Sequence, residues 1–281
     1  MKEYVRFALI VPFLVVASCS SDVTSASDTS VAGPSTLFGK PPTSPQTGLQ
    51  LDGIDDYADI ASATIFNGSA LTVEAWVRLE TDVGPTQARI VNRQSSQSGI
   101  DGWGLQIFGS GYPGSRSTGN EVAFHSNNCV AAKNLETGVN LQKRQWYHLA
   151  AVNDGTTLRV YVDGRLAGTT SSLGAPCPSL AAPIVIGKTG PLPAFFFPGP
   201  IDEIRIWNVA RPALLIVANI RSPLTGHEPG LVGYWPLDEG AGTTTADATG
   251  GGHDGTLRNG AGWAKHKMNG RGPDPDDDID P

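Results

Sequence analysis

The chain has 281 residues, of which 40% are hydrophobic and 17% charged, and it carries 34 Gly and 21 Pro. So much Gly and Pro excludes a helical bundle and favours many strands joined by tight turns, while the near-normal apolar fraction excludes a chain that is disordered throughout. Net charge is −7, with Asp274, Asp276, Asp277, Asp278 and Asp280 crowded at the end, so no basic field exists to collect nucleic acid.

At the N-terminus, Lys2 and Arg6 flank an apolar run, Phe7 to Ala17, which is too short to span a bilayer as a helix and ends in small residues. Residues 1–18 read as a signal peptide. Val16-Ala17-Ser18-Cys19 resembles the lipobox of bacterial lipoproteins, which implies lipidation of Cys19. Ser20, rather than Asp, implies outer-membrane sorting, and an ordinary secretory peptide with an incidental Cys is the alternative. Residues 19–48, rich in Ser, Thr, Ala, Pro and Gly, read as a flexible tether. Residues 264–281 read as an acidic, solvated tail broken by Pro273, Pro275 and Pro281. The span 49–263 is long enough for one single-core β domain.

Within that span the hydrophobic period is mostly two. Leu71, Val73, Ala75 and Val77 alternate with Thr72, Glu74, Trp76 and Arg78, so a strand buries the first set and turns Trp76 the other way. Further strands are expected over Trp146 to Val152, Leu158 to Val162, Pro183 to Gly187 and Ile201 to Trp207. Asn153-Asp154-Gly155 and Asp163-Gly164 supply tight turns. One short helix is expected over Pro212 to Ile220, with Pro at its start and Pro223 beyond its end. Strands without alternating helices imply an all-β antiparallel sandwich.

Six blocks then resemble a known family. Leu51-Asp52-Gly53-Ile54-Asp55-Asp56-Tyr57, Thr72 to Val77, Gln145 to Ala150, Tyr161-Val162-Asp163-Gly164, Ile186-Gly187 and Gly199 to Asn208 occur in the order found in laminin-G-like jelly-roll domains of the concanavalin A-like lectin and glucanase superfamily. The resemblance implies a jelly-roll β-sandwich. Leu231 to Gly240 and His253-Asp254-Gly255 look like an edge segment of that family that often precedes the first block. Residues 231–263 are therefore expected to supply an edge strand to the same sandwich, the alternative being a truncated second repeat.

The chemistry follows from what is present and what is missing. The glucanase motif Glu-x-Asp-x-x-Glu is absent, Glu74 stands alone on its strand, and no nucleophile elbow or zinc spacing occurs among the five His. Gly187-Lys188-Thr189 lacks the rest of a phosphate loop. The expected function is non-catalytic binding of a glycan or polysaccharide. A protein-binding adhesion or scaffold module of the envelope, or an unrecognised glycan hydrolase, are the alternatives. Lectins of the superfamily imply aromatic stacking and polar contacts from loops, which makes Trp103, Tyr112, Arg116, Asn127 and Asn128 the candidate ligand contacts. Asp52, Asp55, Asp56 and Asp59 crowd one turn, and the resemblance implies a structural calcium held by Asp202 with Asp52 or Asp55. Turn capping by Asp52 and Asp55 is the alternative. Cys129 and Cys177 are expected to form a disulfide in an oxidising compartment, with two free thiols as the other reading.

Overall fold

The structure is a computed structural model that describes residues 47–95, 100–178, 182–190 and 192–265. The signal peptide, Cys19, nearly all of the tether and nearly all of the acidic tail lie outside the described residues. Among the described residues, sixteen strands and one short α-helix follow in chain order, with a 3-10 turn at Thr64–Phe66. They are β1 (Thr47–Asp52), β2 (Tyr57–Ile60), β3 (Leu71–Arg78), β4 (Gln87–Arg93), β5 (Trp103–Phe108), β6 (Glu121–Ser126), β7 (Asn134–Asn140) and β8 (Trp146–Asn153). After them come β9 (Thr157–Val162), β10 (Arg165–Ser171), β11 (Ile184–Ile186), β12 (Pro198–Trp207), α1 (Ala213–Asn219), β13 (Leu231–Trp235), β14 (Thr244–Thr245), β15 (Gly255–Arg258) and β16 (Gly262–Lys265).

Two antiparallel sheets stack into the expected jelly-roll sandwich. One, called sheet A here, runs β10-β9-β8-β3-β12-β1-β16, with β13 also paired to β12; the other, sheet B, runs β14-β15-β2-β11-β4-β5-β6-β7. The alternation on β3 does what its period requires: Leu71, Val73, Ala75 and Val77 enter the core between the sheets, where Ile60, Ile90, Leu105, Ile107, Phe124 and Ile186 meet them from sheet B. Asp163 (φ 51°) and Gly164 (φ 75°) occupy the left-handed region that a tight turn between β9 and β10 needs. Residues 231–265 are built into both sheets, β13 beside β12, β15 beside β2 and β16 beside β1, so they complete this sandwich and do not begin a second repeat. The Cys129–Cys177 disulfide is present, with Cα atoms 5.0 Å apart.

The outer face of sheet A is closed by α1. Trp76, Trp146, Ala150, Val152 and Tyr161 pack there against Ile216 and Ile220, and Trp76 Nε1 donates to the Ile220 carbonyl at 3.2 Å. At the centre of this face Glu74 is fully buried. Arg211 Nη1 donates to its Oε1 at 2.6 Å, while His148 Nε2 lies 3.3 Å and Arg205 Nη1 3.7 Å from Oε2. The same arginines hold the helix segment, because Arg211 Nη2 donates to the Leu215 carbonyl and Asn219 Oδ1, and Arg205 Nη1 to the Asn219 carbonyl. One carboxylate thereby fastens α1 to the sheet.

Burial alone would raise the Glu74 pKa, but His148, Arg205 and Arg211 outweigh it and hold the carboxyl at about 2 against an ordinary 4.5. A depressed folded pKa gives stability that is complete above about 4.5 and lost as pH falls toward about 2. Asp163, pushed up to about 6 by burial, has the opposite sign, but it is common to the wild type and a Glu74 variant and drops out of their difference. Glu74→Gln is expected to cost about 3–5 kcal/mol at neutral pH, since it leaves the buried Arg211 without its carboxylate. In urea denaturation at stepped pH that penalty should shrink between about 4.5 and 2; a penalty independent of pH would contradict the ion-pair account.

Candidate functional site

Among the described residues no helix lies over the outer face of sheet B, which is built mostly of polar side chains. Strand β4 starts with simple alternation, Gln87 and Arg89 outward and Ala88 and Ile90 inward, and then carries a bulge between Arg89 and Val91. The bulge sends both Ile90 and Val91 into the core and returns Asn92 to the outer face, an adjustment of a kind common beside binding sites. Register across the sheet sets the rows. Arg89 stands opposite Gln106 on β5, then Ala123 on β6, then Glu136 on β7. Gln87 stands opposite Phe108 and then Glu121, and Asn92 opposite Gly104 and then His125. Gly104 and Ala123 are the small residues of these rows. A Cβ on Gly104 would collide with His125 Cε1, so this glycine lets the imidazole lie across β5 toward Arg89.

Arg89 and His125 form the centre. Arg89 Nη1 lies 2.7 Å from His125 Nδ1. A guanidinium has no acceptor, so Nδ1 must accept and the neutral ring carries its proton on Nε2. Burial first, and the Arg89 charge second, push the His125 pKa well below its ordinary value, which keeps the ring neutral near pH 7. Burial lowers Arg89 to about 10, where it is still charged. Around this pair Gln87 Oε1, Arg89 Nε, Gln106 Oε1 and His125 Nε2 are all buried without a hydrogen-bond partner. Each such group costs about 1–3 kcal/mol if left dry. His148 Nδ1 and Arg205 Nε are unpartnered as well, but they lie under α1, whereas no described helix covers the group on sheet B, where Gln87 and Arg89 each keep 8% of their surface exposed.

The other side chains on this face are committed. Glu121 Oε1 accepts from the Gly138 amide at 2.7 Å, and Glu136 Oε2 accepts from the Ser115 hydroxyl at 2.8 Å and the Arg116 amide at 3.2 Å. Asn92 binds the Val185 and Lys188 carbonyls and the Gly190 amide, holding residues 188–190 against β4. Lys188 Nζ, read from sequence as the end of a strand and not of a phosphate loop, donates to the Thr189 and Gly190 carbonyls. Phe108 stacks on Tyr112 with ring centroids 3.9 Å apart and planes 13° from parallel, leaving Tyr112 half-buried and close enough to act on the Arg89 charge.

The residues selected from sequence as ligand contacts divide accordingly. Tyr112 and Arg116 lie on the loop that Glu136 ties to sheet B, Tyr112 beside the Arg89 face and Arg116 exposed. Trp103 is not in a loop: it opens β5 and points into the core at 2% exposure, so it offers no stacking face to a sugar. Asn127 is buried and builds its own loop, its Oδ1 accepting from the Lys133 amide and its Nδ2 donating to the Asp101 carbonyl. Asn128 closes the turn before the disulfide, accepting from Val130 and Ala131 and donating to the Leu173 carbonyl. Both asparagines are spent on loop structure. Sequence reasoning missed Gln87, Arg89, Gln106 and His125. The alternation in Gln87-Ala88-Arg89-Ile90 and Gly104-Leu105-Gln106-Ile107 was the available signal for strands, but nothing in it marks the outward residues as buried.

The expected calcium ligands also divide. Asp52, Asp55 and Asp56 bring carboxylate oxygens within 4.8 Å of one another. Asp202 does not join them: Asp52 pairs with Pro198 on β12, four residues away, or about 13 Å of strand. Its Oδ1 accepts from the Glu203 amide instead. Burial tends to raise Asp52, but hydrogen bonds from the amides of Ile54, Asp55 and Asp56 hold its carboxyl below the usual range. Asp56 is raised by burial and then by the Asp52 charge, and its Oδ2 accepts from the Asp52 amide. The oxygen chemistry suits a hard cation, and the turn is also closed by its own amides.

The comparisons with known proteins agree with this geometry at the level of fold. Residues 52–216 match a family described as Laminin_G_3, concanavalin A-like lectin/glucanases superfamily. No curated protein matches the sequence. Among solved structures, a candidate carbohydrate binding protein from Bacteroides ovatus superposes with a TM-score of 0.62 at 21% identity, covering 80% of this chain and 61% of its own. The chain thus spans about three fifths of that structure. A Ruminococcus gnavus IT-sialidase CBM40 bound to alpha2,3 sialyllactose gives a TM-score of 0.49 at 13% identity, covering 63% of this chain and 98% of its own. A heptameric SAP-like pentraxin from Limulus polyphemus gives 0.47 at 15%, covering 63% and 82%. The family match runs over more than half of a chain folded as two stacked antiparallel sheets, and the chain belongs to the laminin-G family of the concanavalin A-like lectin/glucanases superfamily.

Proposed function

We propose that this protein binds carbohydrate, without turning it over, on the outer face of sheet B. The observation that carries the reading is the group of four buried, unpartnered polar atoms on Gln87, Arg89, Gln106 and His125, beside the Phe108–Tyr112 stack. Sugar hydroxyls both donate and accept, and neighbouring amide, guanidinium and imidazole groups can satisfy them in pairs. The fold shared with a candidate carbohydrate binding protein supports the same reading. Absence of turnover rests on the carboxylates: hydrolysis needs an acid and a second carboxylate free to act on the bond, and on this face Glu121 is bonded to the Gly138 amide of β7 and Glu136 to the Arg116 amide.

The same reading puts the domain outside the cytoplasm, tethered to the outer membrane by a lipid on Cys19. The Cys129–Cys177 bond supports an oxidising compartment. Calcium, where bound, would be held by Asp52, Asp55 and Asp56 and would brace the turn between β1 and β2. An envelope protein as partner is the outcome to pursue if sugars fail.

In affinity electrophoresis of the full chain through gels containing single polysaccharides, at least one polymer should retard migration, with no release of reducing ends. Gln106→Ala and Tyr112→Ala should each weaken that retardation by about fivefold, the worth of roughly 1 kcal/mol of hydrogen bonding or stacking. Retardation that both variants leave untouched would contradict the site. For the turn, calcium at a hundred times its Kd would add about 2.7 kcal/mol. Thermal melting with calcium against EDTA should therefore show a rise of at least about 5 °C, abolished by Asp55→Asn. An identical Tm in both buffers would leave the turn as a self-capped loop.

A further inference from the structure

We propose that the sugar recognised on sheet B is an acidic one, its carboxylate seated on the Arg89 guanidinium. This rests on the carbohydrate reading above and names the ligand class of that same site. The ground for it is charge balance. Arg89 is nine-tenths buried, yet among the described residues no carboxylate pairs with it; its side-chain partner is the neutral His125 ring, and its Nε has none. The carboxylate on its own row, Glu136, stands three strands away, about 14 Å, and is bonded to Ser115 and Arg116. Asp101, the acid nearest in effect to His125, is spent on the Ser95 amide and hydroxyl.

Three other buried arginines are paired with carboxylates, Arg78 with Glu80 at 2.7 Å, Arg205 with Glu203 at 2.7 Å and Arg211 with Glu74 at 2.6 Å. Arg93 is surrounded by the neutral oxygens of Ala63, Asn67 and Ala182, whereas Arg89 has neither a carboxylate nor such a set of oxygens among the described residues. A buried cation without a counter-ion is costly, and a bound anion removes the cost. The tautomer of His125 adds to the argument. With Nδ1 accepting from Arg89, Nε2 must donate, so the two unpartnered nitrogens, Arg89 Nε and His125 Nε2, are both donors. The guanidinium alone can hold the planar, two-oxygen face of a carboxylate through its own N–H groups, and His125 Nε2, turned away from Arg89, can donate to a neighbouring hydroxyl. Gln87 Oε1 and Gln106 Oε1 then remain as acceptors for neighbouring hydroxyls. Net charge does not explain such a preference, because the chain carries a net −7.

The test is affinity electrophoresis of the full chain on polygalacturonate, alginate and hyaluronan, each beside its carboxyl-reduced neutral counterpart. Retardation by an acidic polymer that falls about 10–100-fold in apparent affinity on carboxyl reduction is the expected result, the worth of one charge-assisted hydrogen-bonded contact. Arg89→Gln should lose the acidic polymer to the same extent. Because that variant could misfold, His125→Gln, which keeps the Arg89 charge but moves the donor, should give an intermediate loss. Equal retardation by acidic and reduced polymers would overturn the acidic-sugar inference while leaving carbohydrate binding standing. No retardation by any acidic or neutral polymer would remove the carbohydrate reading and this inference with it.

Discussion

A charge taken out of water has to be answered, and this sandwich buries arginines on the outer faces of both its sheets. On sheet A the answer is internal. Glu74 is matched by Arg211 and Arg205, and these in turn hold the backbone of α1, so ion pairing and helix docking are one event. On sheet B the answer is missing from the described residues. Arg89 has a neutral ring beside it and no carboxylate, although the two faces are built from the same alternating strands. That difference is why the proposed binding face is on sheet B.

The local geometry of sheet B follows from small departures from regular alternation. The bulge in β4 spends one residue to put Ile90 and Val91 together in the core, and thereby keeps Arg89 and Asn92 both outward. Asn92 then anchors residues 188–190, and Gly104 clears the path of the His125 ring. The Phe108–Tyr112 stack and the bonds of Glu136 to Ser115 and Arg116 bring the loop after β5 back over the sheet. Loops thus supply the rim while strands fix the polar floor, a division that places the chemistry on the more rigid part.

Much of the fold was legible in the sequence because a half-buried strand writes its period into it. Leu71 to Arg78 shows clean alternation and is β3 to the residue, and the Pro-bounded run before Pro223 is α1 within a residue or two. The ligand face was not legible, for identifiable reasons. Trp103 follows a Gly and sits in a Gly-rich stretch, which resembles a loop until β4 and β6 pair on either side of it. Asn127 and Asn128 have the composition of a binding loop, but their side chains are needed to shape the chain around Cys129. Asp202 shares a motif with family acids, yet register puts Pro198, not Asp202, opposite Asp52. Burial of a Gln or Arg on an outward position depends on what folds over it from elsewhere in the chain, and no local pattern records that.

The central claim is that a carbohydrate sits on Arg89 and His125, and the most direct measurement is side-chain NMR of the full chain during titration with an acidic oligosaccharide. The account predicts saturable shifts of the Arg89 Nε–H, the His125 Nε2–H and the Gln87 and Gln106 amides, with the Glu74–Arg211 cluster under α1 unmoved. Saturable shifts confined to the turn at Asp52, Asp55 and Asp56, or to the α1 face, with Arg89 and His125 silent, would contradict it.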